Sequence, residues 1–170
     1  MLGFYENFPQ TIHRTEIFSS VLSKKKLQQR ITEVFLKINS ETYSFEEVGN
    51  PTVPNGKVIF EFGIADTGGF CYLNKGEAMK LQEAICIDFM KVMDWYCSIR
   101  YYKYIKEKKV PLKFDYYMLR IGFGEKGNVE FLVSYEKGPR YISPEDLVDF
   151  ISNKVNEVSN RNILRHVEQS

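Results

Sequence analysis

The sequence predicts an α+β domain of two layers, with an antiparallel β-sheet and helices packed on one of its faces. Two observations support this prediction. Apolar residues recur at helical spacing in three segments, which begin near Ser23, Asn74 and Ser143. Between these segments, apolar and polar residues alternate in runs separated by short turns, as in strands joined by hairpins. The predicted order of elements is α-β-β-β-α-β-β-α.

The first and last helices have clear start signals. Ser23 precedes the first helix, and a serine suits this position because its side-chain oxygen accepts a backbone N–H bond. Ser143 precedes the last helix, where Pro144 fits the first turn and Glu145 and Asp146 favour the positive end of the helix dipole. The apolar stripe of the first helix consists of Leu27, Ile31, Val34, Phe35 and Ile38.

The middle helix is the dominant predicted element. Its N-cap is Asn74, and helical spacing extends to Lys109, two residues before Pro111 would stop it. An unbroken helix over 74–109 would span roughly 50 Å at 1.5 Å per residue. We therefore expect a break near Ser98 or an end that projects towards a partner. The apolar face is wider than one sheet should need, because it also includes Met79, Cys86, Met90 and Cys97.

Two hairpins are predicted between the helices. Residues 57–64 alternate in polarity, and 70–73 form the returning strand after a turn at Asp66-Thr67-Gly68-Gly69. Residues 114–123 and 129–135 form the second hairpin. We expect one domain over 1–170, with 1–20 and 160–170 less ordered.

The composition excludes several classes of protein. The chain has 170 residues, 23 Lys and Arg against 22 Asp and Glu, and a net charge of +1, which argues against a uniformly basic nucleic-acid binder. Its 44% apolar content argues against global disorder. Three cysteines without a CxxC motif and two histidines at opposite ends predict no metal site and no cofactor. Unpaired thiols and the absence of a long apolar run predict a cytoplasmic protein without membrane contact.

The favoured functional interpretation is a non-catalytic protein-interaction or assembly domain, bound to a protein partner or to a second copy. The wide apolar face of the middle helix and the 15% aromatic content indicate this function, since aromatic residues are enriched at interfaces. The predicted interface anchors on this helix are Trp95, Tyr96 and Tyr102.

Nucleic-acid binding is a second interpretation. Residues 100–113 contain a cluster of basic and aromatic side chains, and cations neutralise phosphates while tyrosines stack on exposed bases. The candidate contacts are Arg100, Lys103, Lys106, Lys108 and Lys109.

An enzyme of unknown class is the third interpretation, with a site near Asp66 or Arg120. Asp66-Thr67-Gly68 is similar to the catalytic triplet of aspartic proteases, but a β-turn is the favoured explanation of these residues. Arg120-Ile121-Gly122-Phe123-Gly124 resembles the acyl-CoA-binding loop of acetyltransferases, although the end of a hairpin accounts for the same residues.

Three collinear segments resemble one known family. Residues 57–64 look like a strand of the small α+β subunit of the actin-related-protein complex that nucleates branched actin, 85–93 its following helix, and 147–150 the start of its last helix. The same order resembles the wider secretion-chaperone-like fold, whose members dimerise and bind other proteins. The resemblance implies an assembly role.

Overall fold

The computed structural model describes residues 1–49 and 55–167. Within these ranges the helices and strands follow one another as β1 (Arg14–Ser20), α1 (Lys24–Asn39), β2 (Thr42–Ser44), α2 (Phe45–Val48), β3 (Gly56–Asp66), β4 (Gly69–Tyr72), α3 (Lys75–Ile87), β5 (Val92–Ile105), β6 (Lys108–Pro111), β7 (Asp115–Phe123), β8 (Asn128–Lys137), α4 (Pro144–Val158) and β9 (Leu164–His166).

The nine described strands form one antiparallel sheet. Its main path is β2-β3-β5-β7-β8-β1-β9. Outside this path, β4 pairs with the C-terminal end of β3 and β6 pairs with the C-terminal end of β5. Helices α1 and α4 pack on one face, called the inner face below, and α3 packs against α1. The predicted α+β class, with an antiparallel sheet and helices on one face, is confirmed.

The inner face holds the hydrophobic core. Alternate residues of the central strands are fully buried there, as alternation along a strand requires. Phe62 stacks on Phe35 of α1 at a centroid distance of 4.1 Å, and Trp95 meets the same ring edge-on at 4.7 Å. The two helices that pack on this core, α1 and α4, have the predicted serine caps. The Ser23 hydroxyl oxygen accepts a hydrogen bond from the Lys26 N–H, and that of Ser143 accepts one from the Asp146 N–H.

The prediction of a helix over 74–109 is wrong beyond Ile87. The backbone becomes extended at Asp88, and β5 begins at Val92, well before the break expected near Ser98. Residues 92–105 also alternate in polarity, but their apolar positions at 92, 93 and 96 fit helical spacing too, which concealed the strand. The buried Gln28 side chain fixes the connection, since its amide bonds both the N–H and the carbonyl of Met90.

Residues 1–20, predicted to be less ordered, include β1, which pairs with β8 over Arg14 to Ser19 and with β9 over Phe18 to Ser20. The C-terminal segment predicted to be less ordered includes β9, and residues 168–170 lie outside the described ranges. Both strands pair only with chain segments that are distant in sequence, so the local pattern carried no signal for them.

Candidate interaction surfaces

The predicted interface anchors do not form one surface. Trp95 is fully buried on the inner face, so it belongs to the core of this chain and not to an interface. Tyr96 and Tyr102 are half-buried on the opposite, outer face of β5. They are six positions apart, which is about 20 Å along a strand. Burial raises the pKa of Tyr96 to about 12, because its ring packs against Phe70 and Tyr116.

The predicted basic segment forms a hairpin instead of a helix end. Strands β5 and β6 meet at Lys106 and Glu107, both with positive φ, as a two-residue hairpin turn requires. Alternation divides the predicted cations between two faces. The outer face carries Arg100, Tyr102, Tyr104 and Lys109, and the opposite face carries Lys103 and Lys108.

A depression of about 310 Å³ lies beside this hairpin on the outer face. The Lys109 ammonium group sits 3.9 Å from the centre of the Tyr102 ring, in a cation–π contact. Arg100 forms an ion pair with Glu61 at 3.0 Å, in which the arginine side chain is 54% exposed. The depression is lined by Ser98, Arg100, Tyr101, Tyr102, Pro111, Leu112 and Phe114.

The Arg120 side chain is occupied by an internal ion pair. Its Nε and Nη2 donate to the two carboxylate oxygens of Asp94 at 2.7 and 2.8 Å, and Nη2 also donates to the Tyr5 carbonyl. The Phe8 ring lies 4.4 Å from the guanidinium carbon. The N-terminal segment therefore covers Arg120. Because 120–124 end a strand and lead into a hairpin, they lack the strand-to-helix turn of an acyl-CoA loop.

Asp66 lies at the tight turn between β3 and β4. Thr67 and Gly68 both have positive φ, and Asp66 pairs with Gly69 across the turn. The Thr67 hydroxyl donates to the Asp66 carboxylate at 3.1 Å. This geometry matches the β-turn explanation of the Asp-Thr-Gly triplet.

A groove between α1 and α3 carries the apolar surface that remains on the middle helix. Met79 is 66% exposed, and its neighbours Ala78 and Leu36 form the floor. The groove has a volume of about 450 Å³ and is flanked by Lys75, Glu33 and Glu83. Of the four residues predicted to widen the apolar face of the middle helix, Met79 and Cys86 lie exposed on α3, whereas Met90 and Cys97 lie outside this helix.

A cluster of ionisable groups lies between β1, β9 and the start of α4. One ligating atom each from Glu16, Asp149 and His166 lies within 4.8 Å of the other two. Burial, followed in effect by the nearby Glu16 carboxylate, raises the pKa of Asp149. Local sequence patterns carry no signal for this cluster, because the pairing of β1 with β9 is what brings Glu16 and His166 together.

A buried carboxylate at the start of β7 organises the loop that follows β8. Asp115 accepts hydrogen bonds from the Tyr101 hydroxyl and from the backbone N–H groups of Arg140 and Tyr141. Burial and the hydrogen bond to Asp115 raise the pKa of Tyr101 far above its usual value. This network fixes the loop against the core beside the β5–β6 hairpin.

Within the described residues, no helix is long and apolar enough to cross a membrane. The segment 85–93, compared above with a helix of the actin-related-protein complex subunit, ends α3 at Ile87 and enters β5 at Val92. Comparison of the chain with protein-family models, curated proteins and solved structures finds no match, so that resemblance stays a prediction.

Proposed function

We propose that this chain is a non-catalytic protein-assembly domain that binds a second copy of itself through the groove between α1 and α3. The proposal keeps the assembly role predicted from the sequence but moves the contact from Trp95, Tyr96 and Tyr102 to the ridge formed by Lys75, Met79 and Glu83. It includes a cytoplasmic setting, which the free thiols Cys71, Cys86 and Cys97 favour.

The apolar character of the groove supports the proposal. An exposed Met79 beside Ala78 and Leu36 presents apolar surface that a partner would remove from water. Methionine adapts its shape to the surface that it meets, which suits a contact between helices.

The order of charges along α3 is the observation that carries the proposal. Lys75, Met79 and Glu83 are all exposed and spaced by four residues, so they form one ridge on the helix. A two-fold interface must be complementary to itself. If the axis passes through Met79, then Lys75 of each copy faces Glu83 of the other, with methionine against methionine between them. This arrangement favours a second copy over an unrelated partner.

Light scattering coupled to size-exclusion chromatography tests the proposal. We expect a dimer at roughly 100 µM, where a contact of micromolar affinity is populated. Met79→Asp should give a monomer, since it buries two carboxylates against each other at the axis. Ile105→Asp is the control, because Ile105 is 48% exposed at the β5–β6 hairpin and does not line the groove.

Charge reversal separates the predicted geometry from a general apolar contact. Lys75→Glu and Glu83→Lys should each weaken the dimer, and the double variant should restore it, because the double exchange recreates opposite charges across the axis. The proposal fails if the unmodified chain is monomeric at that concentration. It also fails if Ile105→Asp dissociates the dimer as effectively as Met79→Asp.

Nucleic-acid binding is a second candidate, favoured by the collection of Arg100, Tyr102, Tyr104 and Lys109 on the outer face of the β5–β6 hairpin. Anisotropy of a labelled single-stranded oligonucleotide should show binding that weakens steeply as salt rises. Arg100→Ala with Lys109→Ala should weaken binding more than Lys103→Ala with Lys108→Ala, although both pairs remove two charges. Equal losses, or no binding at low salt, would eliminate this candidate.

A further inference from the structure

We infer that Glu16, Asp149 and His166 form a binding site for a divalent transition-metal ion such as Zn²⁺. The site lies at the edge of the sheet where β1 and β9 meet α4, away from the α1–α3 groove. The inference does not depend on the proposed dimer.

Strand pairing aims two of the three ligands at the same place. His166 pairs directly with Phe18, and Glu16 precedes Phe18 by two residues on the same strand. Directly paired residues and residues two apart share a face, so the carboxylate and the imidazole project to the same side of the sheet. Asp149 reaches this side from the first half of α4. The Phe18 ring packs 4.5 Å from the imidazole.

The Glu16 carboxylate provides the observation that points to a ligand. Its side chain is only 7% exposed, and Oε1 accepts a bond from Arg14 at 2.8 Å. The other oxygen, Oε2, is buried without a hydrogen-bond partner in the part of the chain that the structure describes. An unsatisfied buried carboxylate oxygen is costly, and a cation would satisfy it. It lies 3.7 Å from His166 Nδ1, beside a cavity of about 310 Å³.

The donor set suits a transition metal better than magnesium. Zn²⁺ accepts both imidazole nitrogen and carboxylate oxygen ligands, whereas Mg²⁺ prefers oxygen ligands alone. Ligands 2.0 to 2.2 Å from a tetrahedral ion lie about 3.3 to 3.6 Å apart. The nearest contacts are 3.7 Å from Glu16 Oε2 to Nδ1 and 3.9 Å from Asp149 Oδ1 to Nε2. One ion can bond only one of the two ring nitrogens, so the exposed His166 and Asp149 side chains would have to rotate to bring three ligating atoms, now within 4.8 Å of one another, to that spacing.

The charges around the site also favour a divalent cation. Glu16, Asp149 and Glu145 contribute three negative charges, and Arg14, which lies 2.8 Å from Glu16 and 3.6 Å from Glu145, contributes one positive charge. With His166 neutral, the formal balance is −2, which one divalent ion neutralises. Arg14 occupies only Oε1 of Glu16, and so it leaves Oε2 free for the ion.

Isothermal titration of the full chain with ZnCl₂ near neutral pH tests the inference. We expect one equivalent to bind, and Glu16→Gln, His166→Ala and Asp149→Asn each to weaken binding by at least tenfold. His13→Ala is the matched control, since His13 is the only other histidine and should leave the affinity unchanged. Asp149 is 44% exposed, so its variant keeps the test valid if Glu16→Gln fails to fold.

Several results would overturn the inference. One is weak Zn²⁺ binding to the unmodified chain without a fixed stoichiometry. Another is an affinity that survives Asp149→Asn and His166→Ala, which would mean that the cluster is only an ion pair between a protonated His166 and Glu16. Equal affinity for MgCl₂ would remove the transition-metal assignment.

Discussion

Arg120 and Asp94 are direct cross-strand partners on β7 and β5, and their side chains form a bidentate ion pair on the outer face of the sheet. Asp94 is completely buried beneath the N-terminal segment, whose Tyr5 N–H also donates to it at 2.7 Å. The pair therefore attaches residues that precede β1 to the centre of the sheet.

Removal of Arg120 should destabilise the fold strongly. Arg120→Ala leaves the buried Asp94 carboxylate without its cation, which costs about 3–5 kcal/mol. The exposed pair of Arg100 and Glu61 on the same face provides the control, since Arg100→Ala should cost at most about 1 kcal/mol. Urea unfolding of the two variants measures the difference. Similar losses for both would show that burial does not strengthen the Arg120 pair.

Loss of the Asp115 carboxylate should loosen the loop over 138–142. Asp115→Ala removes the acceptor for the Tyr101 hydroxyl and for two backbone N–H groups, each of which costs about 1–3 kcal/mol when left buried without a partner. We expect a total loss of at least about 3 kcal/mol in unfolding free energy. Hydrogen exchange at the Tyr141 amide should accelerate relative to amides in β3. Unchanged exchange at Tyr141 would contradict this role.

Two glycines should respond oppositely to alanine. At Gly63, an added Cβ would lie 2.1 Å from the Tyr96 ring and 2.9 Å from the Cys71 carbonyl oxygen, so Gly63→Ala should cost about 1–3 kcal/mol. At Gly122, nothing lies within 4 Å of the added atom, and Gly122→Ala should stabilise by up to about 1 kcal/mol. Thermal unfolding compares them. A gain in stability for Gly63→Ala would mean that Tyr96 moves aside freely.

Stability should fall as the pH rises above about 10, where tyrosine ionises in the unfolded chain. Burial raises the pKa of Tyr43, Tyr101 and Tyr117 well above that value, and that of Tyr96 to about 12. Between these values the unfolded state releases protons that the folded state retains, so rising pH favours unfolding. The stabilisation is complete below about pH 10 and is lost progressively above it.

The urea midpoint, measured from about pH 8 to about pH 11, tests this dependence. Tyrosinate absorbance followed in the same samples provides the control, because ionisation of the buried tyrosines should accompany unfolding and not precede it. A midpoint that stayed level above about pH 10 would be inconsistent with the buried hydroxyls.

Local pattern was sufficient for the fold class but not for the candidate sites. The caps at Ser23, Asn74 and Ser143 are decided by neighbouring residues, and all three accept the expected backbone bonds. Strand β5 was mistaken for helix because its apolar residues satisfy both periods, and only its pairing with β3 and β7 decides between them.

The candidate sites depend on contacts between residues that are distant in sequence. Glu16 and His166 meet only because β9 returns to β1, and Asp94 and Arg120 are neighbours only once β5 is a strand. The exposed Met79 is an intermediate case. The sequence indicated too many apolar residues on the middle helix, and the packing of α1 decided which of them stay exposed.

The position of β1 between β8 and β9 has a consequence for synthesis on the ribosome. The strand emerges before its hydrogen-bonding partners, which lie at 128–133 and 164–166. Until those residues leave the exit tunnel, Phe18 lacks its neighbours and remains open to wrong contacts. The sheet is therefore completed only after residues 164–166 have been translated. Mutations that slow the docking of β1 should reduce the yield of folded protein more than its final stability.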